Sequence, residues 1–448
     1  MECYEFPKGF LWGSATAAFQ IEGAGGPGAR GESIWDRYCR TPGNIADSSD
    51  GKQSCNHYHH FEEDIQLMAK LGLKNYRFSI SWPRILPDGV GNINYAGVEF
   101  YKKILICLEK YGIRPLVTLY HWDLPQRLQE RGGWQSRETV DAFVEYARIV
   151  FRELSPWVKD WVTFNEPYCS AFLGHWVGRQ APGIRDYAAA VQVAHHLLLA
   201  HGKVVALLRK MDPEARIGIV LNMNSYYPDK DTEADRMAAE WNFQAWNSWF
   251  ADPVLKGQYP PMVMRTYERE GLAPRQEEGD MEIICQPLDF LGINHYFSQR
   301  VSADANVWPV CSRLHRQGDK ATDMGWGVYP QGLYDLLVRL DSEYKHLPIL
   351  ITENGAAYQD VVSEDGHIYD IERQEYLIKY IQQVHRAIKT GVNVKGYYLW
   401  SFMDNFEWAY GYSKRFGIVY VDYKSQQRTI KQSGYWYSDV IRQNGIKL

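Results

Sequence analysis

Eight short runs of β-branched and aromatic residues recur through this chain, at 10–14, 75–80, 115–119, 161–164, 217–221, 288–293, 349–352 and 396–400. Between them lie stretches with the 3.6-residue apolar period of helices, at 61–71, 95–111, 139–154, 188–210, 330–344 and 373–389. A run that is apolar throughout suits a strand buried on both faces, and such strands are usually parallel, because helical crossovers cover both sides of a parallel sheet. Eight of them alternating with helices, with no polar linker dividing the series, predict an α/β fold whose sheet closes on itself, a (β/α)8 TIM barrel. At 448 residues the length alone suggests about three domains, but such a barrel can exceed 400 residues as one unit when its βα loops are elaborated. The expectation is one domain over 1–448, with the long connection 295–329 as an irregular lid or rim after the sixth strand.

Barrels of this kind keep their chemistry at the carboxyl ends of the strands. Here those ends are polar or aromatic: Gln20 shortly after strand one, Arg77 within strand two, His121 and Trp122 after three, Asn165 and Glu166 after four, Asn222 after five, Asn294 and Tyr296 after six, Glu353 after seven and Trp400 at eight. One polar strand end is ordinary structure, whereas eight aimed at one mouth predict a binding site. Two runs share a design: Trp161-Val162-Thr163-Phe164-Asn165-Glu166 halts at Pro167, and Ile349-Leu350-Ile351-Thr352-Glu353-Asn354 halts at Gly355. Paired carboxylates are what glycoside hydrolysis needs, one acid to protonate the leaving oxygen and one carboxylate to act on the anomeric carbon. A separation of about 5–5.5 Å makes a retaining enzyme and about 6.5–9.5 Å an inverting one; sequence spacing leaves both open.

Four ordered motifs carry a resemblance. Thr163-Phe164-Asn165-Glu166-Pro167 and Ile351-Thr352-Glu353-Asn354-Gly355 resemble the paired signatures of the family 1 glycoside hydrolases, a retaining group. The opening stretch from Phe10 to Gly23 and the stretch from Trp400 to Trp408 resemble that family's two terminal signatures, so the likeness runs from about residue 6 to 437. It implies Glu166 as acid/base and Glu353 as nucleophile, with Arg77 and Tyr296 beside the nucleophile and Asn165 on the substrate 2-hydroxyl. It further implies substrate binding by Gln20, His121, Trp122, Asn294, Trp326, Trp400, Glu407, Trp408 and Phe416. Physics agrees: a neighbouring cation and hydrogen-bond donor would keep Glu353 ionised, and that negative charge would keep Glu166 protonated. The activity implied is double-displacement hydrolysis of terminal non-reducing β-D-glucosyl residues from cellobiose-type oligosaccharides and from aryl or alkyl β-glucosides, without a cofactor.

Members that accept sugar 6-phosphates replace the Glu407-Trp408 pair with small or hydroxyl residues and add a Lys and a Tyr downstream. Here Lys414 is present, but Phe416 stands where the Tyr would be, which implies a neutral glycone. Gln180 occupies a rim position where many members carry His, and so bears on aglycone preference. The competing readings are a 6-phospho-β-glucosidase, a transglycosylase using the same two glutamates, and a non-catalytic sugar-binding barrel, which would be expected to lose one carboxylate. A lyase or aldolase barrel would place a Lys or metal ligands at the strand ends.

Composition narrows the partners. The net charge is −5 and no Lys/Arg cluster interleaves with aromatics, so nucleic acid is not expected. Aromatics make up 14 %, with 16 Trp and 31 Tyr, which is compatible with a sugar cleft because sugars stack their C–H faces on rings. The first residues lack the basic and apolar regions of a signal peptide, and no apolar run reaches the ~18 residues of a membrane span. Seven scattered Cys without a Cys-x-x-Cys pair suit reduced thiols, and a cytoplasmic location without membrane partners is expected. His57, His59 and His60 lack the spacing of a metal motif, and His195, His196 and His201 fall on an Ala- and Leu-rich helix, so both groups read as structural. Self-association is left open.

Overall fold

The computed structural model describes residues 3–25 and 29–447. Eight parallel strands close into a barrel: β1 Leu11–Ala15, β2 Asn75–Ser79, β3 Arg114–Tyr120, β4 Asp160–Asn165, β5 Arg216–Asn222, β6 Phe290–Asn294, β7 Ile349–Asn354 and β8 Val394–Trp400. Each pairs with its neighbours in sequence and β8 pairs with β1, Trp400 lying opposite Ala15. All eight strands coincide with the apolar runs to within a few residues, because a strand buried on both faces leaves its signal in every residue. The residues of β2, β4, β6 and β7 are buried throughout.

The six expected helices form as His57–Lys70, Tyr95–Lys110, Arg137–Leu154, Tyr187–Met211, Gln331–Glu343 and Ile371–Lys389. Helix Tyr187–Met211 opens with Asp186 accepting from the Ala189 N–H at 3.1 Å, an N-cap that satisfies an otherwise free donor. Its length and apolarity would suffice to cross a membrane, contrary to the expectation that no stretch does. Yet 83 % of that apolar window is buried inside the protein, so the apolar surface is covered by the fold itself.

A second expectation fails. The connection 295–329 is irregular only in part: Gln299–Ala303 and Ser312–Arg316 form an antiparallel hairpin, and Tyr226–Pro228 adds to it as a third strand. Each of the hairpin's two strands has a single buried residue, Val301 and Ser312, too little for an apolar pattern to stand out. The β5–β6 connection also holds helices Glu233–Phe243, Trp249–Lys256, Pro261–Arg269 and Asp280–Ile284. A π-type turn at Gln244–Ser248 and the internal Pro253 break their periodicity.

The histidines are held as structure. His57 Nδ1 meets Asp64 Oδ2 at 2.7 Å. His195 lies between Tyr259 and Asp280, both at 2.9 Å, and His201 Nδ1 meets Thr163 Oγ1 at 2.7 Å.

Candidate active site

The strand ends converge on one cavity at the carboxyl mouth of the barrel. Glu166 and Glu353 reach it by the same device. The ladder of β4 shifts register between Val162 and Asn165, and that of β7 between Ile351 and Asn354. Such bulges re-aim side chains at strand ends. Glu166 has a left-handed φ of 45°, as do Trp122 at 78° and Trp408 at 49°, and all three line the cavity. Each such residue costs on the order of 1–3 kcal/mol and persists because its surroundings hold it there. Gly355 is fixed by space, since a Cβ there would lie 1.8 Å from the Trp400 carbonyl oxygen. That packs the turn after β7 directly against the end of β8.

A continuous hydrogen-bond network sets the two carboxylates apart. Arg77 Nη1 donates to Glu353 Oε1 at 2.6 Å and Tyr296 donates to Glu353 Oε2 at 2.6 Å. Arg77 Nη2 donates to Asn165 Oδ1 at 2.6 Å, which also accepts from Asn294 Nδ2 at 3.0 Å. That Asn294 nitrogen reaches Glu166 Oε1 at 2.7 Å, and Thr352 Oγ1 fixes the amide by donating to its oxygen at 2.8 Å. Glu166 thus has an amide and, at 3.1 Å, the Cys169 thiol, but no cation in contact. Burial lifts both carboxyls above the ordinary range. At Glu353 the Arg77 charge and the Tyr296 hydroxyl oppose that lift. Glu166 is pushed up to about 7, by burial first and then by the negative charge of Glu353. Of the pair, Glu166 holds the proton.

The cavity wall is aromatic on two sides. Trp122 and Trp408 lie 4.5 Å apart between ring centroids, and His121 stacks on Trp408 at 5.9 Å. Opposite them Trp326, Tyr296 and Phe416 form a second cluster, with centroids 5.3–6.1 Å apart. Asn165 Nδ2 donates to His121 Nε2 at 3.0 Å, so the neutral ring carries its proton on Nδ1, and burial keeps that ring neutral by holding its pKa well below the usual value. Glu407 is pushed up to about 8 by burial and by the charges of Glu353 and Glu166, so it is protonated in the ligand-free pocket at neutral pH. Gln20 holds it through Nε2 at 3.4 Å, with Asn405 Oδ1 and the Phe406 carbonyl at 2.9 Å. The buried Gln20 Oε1 and His121 Nδ1 keep no protein partner among the described residues, leaving an acceptor and a donor for a ligand.

Of the residues named from the sequence, His121, Trp122, Glu166, Asn294, Tyr296, Trp326, Glu353, Trp400, Glu407, Trp408 and Phe416 line the cavity. Arg77, Asn165 and Gln20 form the layer that holds these groups. Cys169, Leu173, Asn224, Trp246, Phe297 and Met324 also line the cavity and were not anticipated. Cys169 was within reach, lying three residues beyond Glu166 and hence close to it on a helical turn. Trp246 left no signal, since it comes from an insertion between β5 and β6.

A barrel whose mouth pairs two buried carboxyls, one supplied with a cation and one left to hold its proton, has the equipment of a glycoside hydrolase. Residues 3–446 match the model of glycosyl hydrolase family 1. The chain is 50 % identical over 445 residues to "Beta-glucosidase A" of Acetivibrio thermocellus, covering 98 % of this chain and 99 % of that one. It is 47 % identical over 444 residues to "1,4-beta-D-glucan glucohydrolase" of Thermotoga neapolitana, covering 99 % of each. It superposes on the β-glucosidase of Thermotoga maritima in complex with deoxynojirimycin with a TM-score of 0.96 at 45 % identity, over 99 % of this chain and 100 % of that one. The chain belongs to glycosyl hydrolase family 1, and its activity is that of a retaining β-glycosidase.

Proposed function

We propose that the chain is a β-glucosidase in which Glu353 is the nucleophile and Glu166 the acid/base, within one catalytic domain over 1–448. It removes terminal non-reducing β-D-glucosyl residues from cellobiose-type oligosaccharides and from aryl or alkyl β-glucosides. The observation that carries this assignment is the unequal surroundings of the two carboxyls: Arg77 and Tyr296 sit on Glu353 at 2.6 Å, while Glu166 is pushed up to about 7. In the first step the Glu353 carboxylate bonds to the anomeric carbon, the bond to the aglycone oxygen breaks, and Glu166 gives that oxygen its proton. Forming the ester removes the charge on Glu353 that had raised the Glu166 pKa. Glu166, now a carboxylate, takes a proton from water as that water attacks the anomeric carbon, the bond to Glu353 breaks to restore its carboxylate, and the β-sugar leaves with its configuration retained.

A neutral glycone is favoured by what surrounds Glu407. Lys414 is committed elsewhere, donating to the Asp323 carbonyl at 2.8 Å and pairing with its carboxylate at 3.2 Å. Phe416 presents no hydroxyl, and among the described residues lining the cavity the only Lys or Arg is Arg179, on the connection after Glu166. A protonated Glu407 would not repel a phosphate, so what disfavours a 6-phosphate is the lining itself, with its shortage of phosphate-binding cations. The seven free cysteines suit a cytoplasmic enzyme acting on small-molecule β-glycosides. The test is kcat/KM across aryl β-glucoside, β-galactoside and β-fucoside and their 6-phosphates. Glucoside is expected to exceed its 6-phosphate by at least tenfold, and the reverse order would overturn the reading.

A further inference from the structure

A second cavity, of about 590 Å³, shares Trp246 with the first. Tyr168, Phe172, Trp176, Tyr187 and Trp241 join Trp246 in its walls. Most of the polar groups around it are already engaged. The Tyr187 and Tyr267 hydroxyls bond each other at 2.8 Å, and Asn242 Nδ2 donates to Ser312 Oγ at 2.7 Å. His315 Nε2 meets Ser302 Oγ at 2.8 Å, and Arg313 pairs with Asp304. A sugar rich in hydroxyls would leave most of them unpaired there, and each buried unpaired group costs about 1–3 kcal/mol. A flat apolar ring meets no such cost and can stack on the Tyr168, Phe172, Trp176, Tyr187, Trp241 and Trp246 rings.

The wall shared by the two cavities leads to Glu166. Tyr168, two residues beyond Glu166, stacks on Trp246 with centroids 3.7 Å apart and planes 25° apart. Trp246 Nε1 donates to the Asn222 carbonyl at 3.0 Å, and Asn222 lines the first cavity. Each member of the stack belongs to or adjoins a π-type turn, Cys169–Leu173 after Tyr168 and Gln244–Ser248 around Trp246. Such turns are rare and recur at functional sites. The first begins with Cys169, whose thiol is bonded to Glu166.

We propose that the second cavity binds a planar aryl alcohol, the chemistry of an aryl glycoside's aglycone, and that its occupancy is felt at Glu166 through the Tyr168–Trp246 stack. The inference takes only the aglycone chemistry from the proposed function, and its binding arm is read with the glycone site blocked. The full chain, saturated with deoxynojirimycin, is titrated with 2-naphthol by calorimetry, as wild type and as Leu314→Trp. Leu314 lines the cavity from an edge strand and is 42 % exposed, so a larger side chain can fill the cavity without entering the core; Val310→Trp, on the preceding loop, repeats the test. The expected result is one 2-naphthol bound per chain and a loss of at least tenfold in affinity in either variant. In wild type, 2-naphthol should change kcat for an alkyl β-glucoside at least twofold without competing with it. In the variants, where the Trp side chain already fills the cavity, added 2-naphthol should leave kcat unchanged. Undiminished binding in both variants would place the ligand in the first cavity and overturn the proposal, as would absence of binding. An unchanged wild-type kcat at saturating 2-naphthol would overturn the coupling. A chain inactive on every glycoside would break the functional reading and leave the binding result intact.

Discussion

The ends of β4 and β7 make a controlled comparison. Both are short buried strands that close on a bulge and deliver a Glu into one cavity, and both carboxyls are nearly sealed from solvent, at 6 % and 3 % exposure. They differ in contacts: the β7 end receives a guanidinium and a phenol, the β4 end an amide and a thiol. Two like residues at equivalent strand ends take opposite protonation states because burial penalises both charges and a cation offsets that penalty at only one of them. What a carboxyl does in this site is set by its neighbours.

The sharpest way to break that comparison is Glu353→Gly. Hydrolysis should fall by about 10⁴-fold or more while the fold is kept, since the nucleophile has no substitute. Azide, entering where the carboxylate was, should partly restore turnover and yield the inverted α-glycosyl azide by product NMR. A restored product of retained configuration would mean that the roles of the two ends had been exchanged.

Glu166→Ala should act more selectively. Substrates with poor leaving groups should lose about 10²–10⁴-fold, the usual worth of a general acid, and activated aryl glycosides far less in the first step. The basic limb of kcat/KM, expected near the value of about 7 for Glu166, should disappear for an activated substrate in Glu166→Gln. Equal losses across leaving groups, or a surviving basic limb, would assign the proton to another group.

The smallest effect concerns Glu407, which shares the burial of both ends and, like Glu166, pairs with no cation among the described residues. Burial first pushes Glu166 up to about 7 and Glu407 up to about 8 in the folded protein, above the usual 4.5 of a Glu side chain. A raised carboxyl pKa means that the folded state binds the proton more tightly. The stability it contributes is fully present below about 4.5 and is lost as pH rises through the folded value. The ligand-free Tm should therefore fall between pH 5 and 8, by a linkage on the order of a few kcal/mol. Glu407→Gln, neutral at every pH, should flatten the upper part of that fall. An equally steep fall in the variant would show that Glu407 is ionised in the pocket.

Much of this molecule was legible before folding was considered. Each barrel strand is written in consecutive residues, because burial on both faces demands apolar side chains without interruption. The residues at the strand ends follow from that register, so Glu166, Asn294, Glu353 and Trp400 could be named from local sequence. The hairpin at Gln299–Arg316 and the helices between β5 and β6 could not, because their apolar faces are short and their periodicity is broken by Pro253 and a π-type turn. Trp246 reaches the cavity from that unreadable insertion.

The sequence by itself determined the barrel and the identity of the residues at its mouth, since both depend on patterns a few residues long. Only the tertiary structure decided which carboxyl holds the proton, why Glu407 joins it, and that a second aromatic cavity adjoins the first. Arg77 meets Glu353 across 276 residues of chain, and Tyr168 belongs to the same cavity wall as Leu314. A pKa or a cavity is the sum of such distant neighbours, and no stretch of sequence contains it.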